Sequence, residues 1–316
     1  MSEVAEHEPV LVGEVVELLG PVPPGLVVDA TVGLGGHARA LLSARPDLRL
    51  LGLDQDADAL AAAAGALSAF GARATLRAAR FDRLRAVLDD IGEEEVSAVL
   101  FDLGVSSPQL DRPERGFSYR AAGPLDMRMD ASAPVTAADV VNTYDEGRLA
   151  QVLFRYGDER HARRIARAVV AARAVRPLAT TTELADVVRH AIPAPARRRG
   201  GHPARRTFQA LRIEVNQELD VLGPALDQAI AALRPGGRCV VLAYHSGEDR
   251  IVKDRFRTAA TGGCVCPPGL PCGCGATPTV RLLTRGARKP SAEEIARNHR
   301  AESARLRAVE KLEVAV

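Results

Sequence analysis

Short apolar runs alternate with amphipathic stretches through the first third of the chain. "LVVDA" (26–30), "LRLLGLD" (48–54), "ARATLRAA" (72–79) and "VSAVLFDL" (96–103) read as strands. Helices are expected from Gly36 toward Arg45, from about Asp56, and over 82–90. This strand–helix–strand order predicts a parallel sheet covered by helices on both faces. After Asp102 the pattern breaks. Residues 107–135 are rich in Pro, Gly and charge, and helical periodicity then holds to about residue 192. Strand character returns at "GRCVVLAYH" (237–245), after "LRPGG", which reads as a helix stop. A helical insert between the fourth and fifth strands follows. Phe208, Leu211, Val215, Leu219 and Leu222, spaced 3, 4, 4 and 3, predict one helix leading back to the sheet. The tail 290–312 is expected to start at a Ser cap and continue as a charged helix.

Composition narrows the class. A chain of 316 residues can bury the core of one large domain or two smaller ones. Its longest nearly apolar run, "ALAAAAGALSAF" (59–70), is too short to span a bilayer. The start "MSEVAEHEPV" lacks the layout of a secretory signal. A cytoplasmic location and no membrane partner are expected. Cys239 lies in the apolar run "CVVLAY" and reads as a buried small residue. Cys264, Cys266, Cys272 and Cys274 form C-x-C-x5-C-x-C on a proline-stiffened loop. Zinc knuckles prefer C-x-x-C, so no metal is assigned, and structural zinc stays open beside a reduced surface loop.

A net charge of +2 hides a segregation. Residues 155–212 hold fourteen arginines, no lysine and four acids, a local net of +10. A codon bias toward Arg would explain the missing lysines but not the missing acids. A basic face for a polyanion is the better reading. Arg197, Arg198, Arg199, Arg205 and Arg206, beside Gly200–Gly201, are the expected phosphate contacts. Arg212 and Asn216 either join them or lie on a solvated helix face. With no Trp, four Tyr and seven Phe there is little for a stacking platform, so binding should lean on arginine–phosphate contacts.

The candidate chemistry starts in "VVDATVGLGGHARALL" (27–42). Gly33, Gly35 and Ala38 fit the G-x-G-x-x-G/A spacing of a nucleotide-binding turn, with Asp54 where a ribose-binding acid belongs. Either NAD or S-adenosylmethionine could occupy such a turn. Asp29, four residues before Gly33, favours the second, because a carboxylate there can face the cationic amino group of the methionine part. His37 places a bulky polar group where a diphosphate site usually keeps small residues. A hydride-transferring oxidoreductase and a non-catalytic RNA-binding factor remain the alternatives. Asp102, ending the fourth strand, either receives charge during the reaction or only holds the cofactor. His245 either accepts a proton or is a hydrogen-bonded structural residue. Ser106, Ser107 and Ser246 are candidate base-edge contacts.

With these residues placed, the chain resembles the bacterial 16S ribosomal RNA cytosine-N4 methyltransferase family. The resemblance runs nearly end to end. It is most specific in "FDLGVSSPQLDRPERGFSY" (101–119) with "GPLDMRMD" (123–130), and in "HPARRTFQALRIEVNQEL" (202–219). It implies a Rossmann-like class I methyltransferase sheet with an inserted helical domain. The cofactor domain would comprise 1–112 and 213–316, and the insert, 113–212, would be an Arg-rich substrate-recognition domain. It also implies S-adenosyl-L-methionine as cofactor and methylation of N4 of a cytidine in the decoding centre of 16S ribosomal RNA, within the small subunit. The implied cofactor contacts are Gly35, Gly36, His37, Asp54, Phe81, Asp102 and Gln109. Asp102 and His245 are the catalytic candidates, and a homodimer is left open. The chain departs from the family's usual pattern at Ala243, Tyr244 and Gly247, and at His299 and Glu302.

Overall fold

A computed structural model describes residues 9–197, 201–267 and 273–313. The chain divides into two compact units, Met1–Gly104 with Leu219–Val316, and Val105–Glu218.

The first unit is built on a seven-stranded sheet in the order β3-β2-β1-β4-β5-β7-β6. Its strands are β1 (Gly25–Asp29), β2 (Leu48–Asp54), β3 (Ala74–Ala78), β4 (Val96–Asp102), β5 (Leu233–Ala243), β6 (Val280–Leu282) and β7 (Arg305–Lys311). Strands β1 to β5 pair in parallel, and β7 runs antiparallel between β5 and β6. Alternate residues of the central strands feed two cores. Val28, Leu51, Val99, Phe101 and Val241 pack with α4 (Leu84–Asp90), α12 (Glu218–Ala232) and α13 (Ser246–Thr261). Val27, Leu50, Ala98, Leu100, Val240 and Leu242 face α1 (Val12–Leu19), α2 (Gly36–Ala44) and α3 (Ala57–Leu67). Burial on both faces explains why these strands are continuous apolar runs rather than alternating ones. Cys239 is fully buried within β5, as its surroundings in the sequence suggest.

The second unit is helical: α5 (Ser107–Asp111), α6 (Ala137–Thr143), α7 (Glu146–Gly157), α8 (Ala162–Val175), α9 (Thr181–Ala191), α10 (Ala194–Arg197) and α11 (Arg205–Asn216). The chain leaves the sheet directly after β4, at Gly104 (φ 102°), and returns at Gln217 (φ 55°). The sequence boundaries at 112/113 and 212/213 thus lie inside the helical unit. Gln217, in the left-handed region, also splits the single helix expected from the apolar stripe. Phe208, Leu211 and Val215 stay buried on α11, whereas Leu222 joins the sheet core from α12.

Two further expectations are corrected. "LRPGG" does not separate helix from strand, because α12 runs straight into β5 and residues 234–237 form an irregularity in its pairing with β4. The tail is not one helix. Ser291 caps only α14 (Ala292–Arg297), and residues 305–311 form β7. Leu306, Ala308 and Val309 of β7 are fully buried. Its charges, which imitate a helix surface in sequence, are paired with α13 and with the neighbouring strands. Arg307 donates to Asp249 at 2.7 Å, and Glu310 accepts from Arg238 and Arg281, each at 2.9 Å.

Candidate active site

The strand order reverses between β1 and β4, which is where a doubly wound sheet opens a crevice at the carboxyl ends of its strands. Three acids end strands there: Asp29 on β1, Asp54 on β2 and Asp102 on β4. The segment 30–35 is stapled across all three. Thr31 donates its N–H to Asp29 Oδ1 (3.3 Å), and its Oγ1 accepts the N–H of Asp102 (2.6 Å). Gly33 N–H donates to Asp54 Oδ2 (2.9 Å), while Asp54 Oδ1 accepts from the N–H of Asp56 (2.9 Å).

The glycines are there because the turn leaves no alternative. Gly33 and Gly35 have φ of 51° and 80°, a region that side chains strain. A Cβ on Gly36 would fall 2.4 Å from Cγ of Pro9. Ala38, the last position of the spacing, is buried against the sheet.

His37, in the first turn of α2, is buried with its Nε2 3.4 Å from Asp102 Oδ2. That separation carries charge attraction, but neither ring nitrogen has a hydrogen-bond partner among the described residues. Burial depresses the His37 imidazole, yet Asp102 and Asp29 outweigh it and hold its pKa above the ordinary value. Burial pushes the Asp29 carboxyl up to about 7, against the opposing pull of His37, with Asp102 and Asp54 adding to the rise. Asp54 is raised too, chiefly by burial, which outweighs its backbone donors.

One participant escaped the sequence reading. Tyr244, one residue past β5, donates its hydroxyl to Asp102 Oδ1 at 2.7 Å. Burial and the neighbouring Asp102 raise its pKa well above that of a free phenol, so it remains a donor. The only hint in sequence was its departure from the family's usual residue.

Of the two roles the sequence leaves open for His245, its contacts match the hydrogen-bonded structural one. Its Nδ1 accepts the N–H groups of Gly247 (3.2 Å) and Glu248 (3.4 Å), capping α13. Glu248 reaches back to the N–H of Tyr244 (2.7 Å) and of His245 (3.2 Å). With Nδ1 committed as acceptor, the ring proton belongs on Nε2, which lies 3.1 Å from Glu248 Oε1 without hydrogen-bond alignment. Phe81 stands edge-on to Phe101, with ring centroids 5.8 Å apart.

Gln109 belongs to the helical unit, where its buried side chain accepts the N–H of Ser106 at 3.0 Å. The same unit spends several of its basic and polar groups internally. Asn216 is buried, accepting from Met129 N–H and donating to the carbonyls of Met127 and Arg212, each at 2.8 Å. Arg212 makes a two-pronged pair with Glu218, both contacts 2.8 Å. Arg197 donates to Ile192 O and Arg206 to Asp158 O. Arg198 and Arg199 lie outside the described residues. Arg206 is nonetheless exposed, as are Arg163, Arg164 and Arg167 of α8 and Arg205 of α11. Arg164, Arg167 and His190 line an open groove between α8 and α9. Of the four clustered cysteines, Cys272 lies outside the described residues.

The chemistry of the carboxylate crevice favours a cationic ligand. A pyrophosphate would meet Asp29, Asp54 and Asp102, and the Gly33 N–H, a donor it would need, is already bonded to Asp54. An amino group and ribose hydroxyls, in contrast, suit carboxylates that each keep unused lone pairs. The residues present therefore fit S-adenosylmethionine better than NAD.

A family profile described as the MraW methylase family matches residues 4–312. The protein of Frankia alni called "Ribosomal RNA small subunit methyltransferase H" is 56% identical over 310 residues, covering 96% of this chain and 95% of that one. Its namesake in Heliobacterium mobile is 50% identical, covering 97% of this chain and 99% of that one. Among solved structures, an rRNA methylase from Streptococcus thermophilus aligns over 98% of this chain and 100% of that chain, at 13% identity and a TM-score of 0.43. Among the described residues no helix is long and apolar enough to cross a membrane.

Proposed function

The chain belongs to the MraW methylase family, and from that premise we propose that it methylates the exocyclic N4 of a cytidine in the decoding centre of 16S ribosomal RNA. The observation that carries this reading is the grip on Asp102: a carboxylate at the switch point, held by Tyr244 and faced by His37, in a chain half identical to small-subunit RNA methyltransferases.

S-adenosylmethionine, when bound, supplies a methyl group made electrophilic by its sulfonium. Asp54 binds ribose hydroxyls, Asp29 pairs with the amino group, and Gly35 and Gly36 let the backbone approach. His37, Phe81 and Gln109 complete the cofactor contacts. The acceptor is a poor nucleophile, because the N4 lone pair of cytosine is delocalised into its ring. Asp102 accepts a hydrogen bond from the amino group, favours a pyramidal nitrogen and receives its proton as the N–H becomes acidic. Tyr244 and His37 keep that carboxylate oriented. His245 is in this reading a positioning residue, since it organises the start of α13 and through it Tyr244. The helical unit recognises RNA, with Arg163, Arg164, Arg167 and Arg205 as phosphate contacts.

The test is transfer of labelled methyl from S-adenosylmethionine to small subunits lacking the modification, followed by nucleoside analysis. Label recovered as N4-methylcytidine is expected. Label in another nucleoside, or none in 16S RNA, overturns the proposal.

A further inference from the structure

A second cluster of ligating side chains stands at the far end of α13. That helix is 16 residues long, so its C-terminus lies about 24 Å along its axis from the Tyr244 end. There the chain turns through Gly262 and Gly263, both left-handed (φ 62° and 73°). A Cβ on Gly262 would fall 2.5 Å from the backbone of Thr277, so only glycine lets the outgoing and returning arms approach this closely. The arms are tied at their base. Thr279 N–H donates to Ala259 O at 2.9 Å, and within the outgoing arm Cys264 N–H donates to Thr261 O at 3.1 Å.

This anchoring gathers thiols from both arms. The Sγ atoms of Cys264, Cys266 and Cys274 all lie within 4.8 Å of one another. Cys264 and Cys274 are 3.6 Å apart. Tetrahedral zinc with Zn–S bonds of about 2.3 Å requires thiolates about 3.8 Å apart, so this edge of the tetrahedron is already formed. A disulfide would need the same sulfurs at about 2.05 Å. Backbone N–H groups of Gly273 and Cys274 hydrogen-bond to Cys266 as well.

We propose that Cys264, Cys266 and Cys274 hold a structural zinc ion that closes the connection between α13 and β6. The site does not follow from the C-x-C spacing, which lacks the usual two-residue knuckle. The tight Gly262–Thr277 approach supplies the convergence that a knuckle would otherwise provide. The ion links the end of α13 to the edge of the sheet and takes no part in methyl transfer.

The experiment is metal analysis of the untagged full chain, purified under reductant. About one zinc per chain is expected. Replacing Cys264 and Cys274 together with Ser should abolish the zinc and lower Tm, while leaving affinity for S-adenosylhomocysteine unchanged. Should that variant fail to fold, wild-type protein stripped with a chelator and titrated with Co(II) gives an independent reading. Thiolate-to-cobalt charge transfer and intense tetrahedral bands are expected. Metal-free protein with no charge-transfer band on Co(II) addition overturns the proposal. So does a chain two mass units lighter with Cys264 joined to Cys274, or stoichiometric iron or copper in place of zinc.

Discussion

Tyr244 donates its hydroxyl to one oxygen of Asp102 while His37 faces the other, at 2.7 Å and 3.4 Å. A hydrogen bond to a charged group contributes roughly 1.5–3 kcal/mol. If Asp102 receives the amino proton, Tyr244→Phe should lower single-turnover methylation about tenfold or more. Affinity for S-adenosylhomocysteine, read by isothermal titration, should barely change. Equal losses in rate and affinity would make Tyr244 a cofactor contact instead. Asp102→Asn should show the same split with a larger loss of rate.

Asp54 accepts the backbone N–H groups of Gly33 and Asp56 and is the proposed ribose ligand. Asp54→Ala should weaken S-adenosylhomocysteine binding by roughly 1–3 kcal/mol. Asp54→Asn, which keeps one acceptor, should lose less. Unchanged affinity in the alanine variant would remove Asp54 from the site.

Asp29 predicts a pH dependence with a definite sign. Its carboxyl is pushed up to about 7 in the folded chain from an ordinary 3.8. Between those values the folded state holds a proton that the unfolded state has lost, so this group's contribution to stability falls as pH rises through the window. Asp29→Asn should remove that slope from chemical denaturation. A ligand ammonium pairs with the ionised form, so S-adenosylhomocysteine affinity should rise by up to tenfold per pH unit toward pH 7 and then level off. A wild-type affinity profile that is flat below pH 7 would show that the amino group does not meet Asp29.

The exposed arginines of α8 should act on RNA and not on cofactor. Arg164→Gln with Arg167→Gln should flatten the salt dependence of 16S RNA binding by about 0.7–0.9 per phosphate contact removed. Arg167 also lies 3.5 Å from Glu146, both well exposed, a pair too solvated to hold it back. An unaltered salt slope would leave the α8 arginines as a solvated face.

Leu306 tests the strand that replaced the expected tail helix. It is fully buried on β7, opposite Leu242 of β5. Leu306→Ala should destabilise the chain by roughly 2–5 kcal/mol in chemical denaturation. A surface helix position would cost far less.

What was legible in the sequence was local or periodic. The apolar runs of β1, β2 and β4 are readable because both faces of a parallel strand are buried, and the turn at Gly33–Gly35 because left-handed backbone selects glycine. Asp29, Asp54 and Asp102 could be nominated because each ends a strand. Other features depend on partners distant in the chain. Residues 305–311 carry charges at helix-like spacing, and only the pairing of β7 with β5 and β6, which buries Leu306, Ala308 and Val309 and sets Arg307 against Asp249 and Glu310 against Arg238, makes them a strand. The sequence leaves His245 between proton acceptor and structural residue, and Arg212 and Asn216 between RNA contacts and a solvated face; folding makes His245 the cap of α13 and turns Arg212 and Asn216 inward. Tyr244 meets Asp102 across 142 residues. Sequence alone determined the sheet-forming segments, the glycine turn, the acids and the segregation of arginines, because those rest on burial pattern and backbone sterics. Tertiary structure alone decided which of these polar groups point at one another, because a hydrogen bond between segments far apart in the chain leaves no periodic trace in either one.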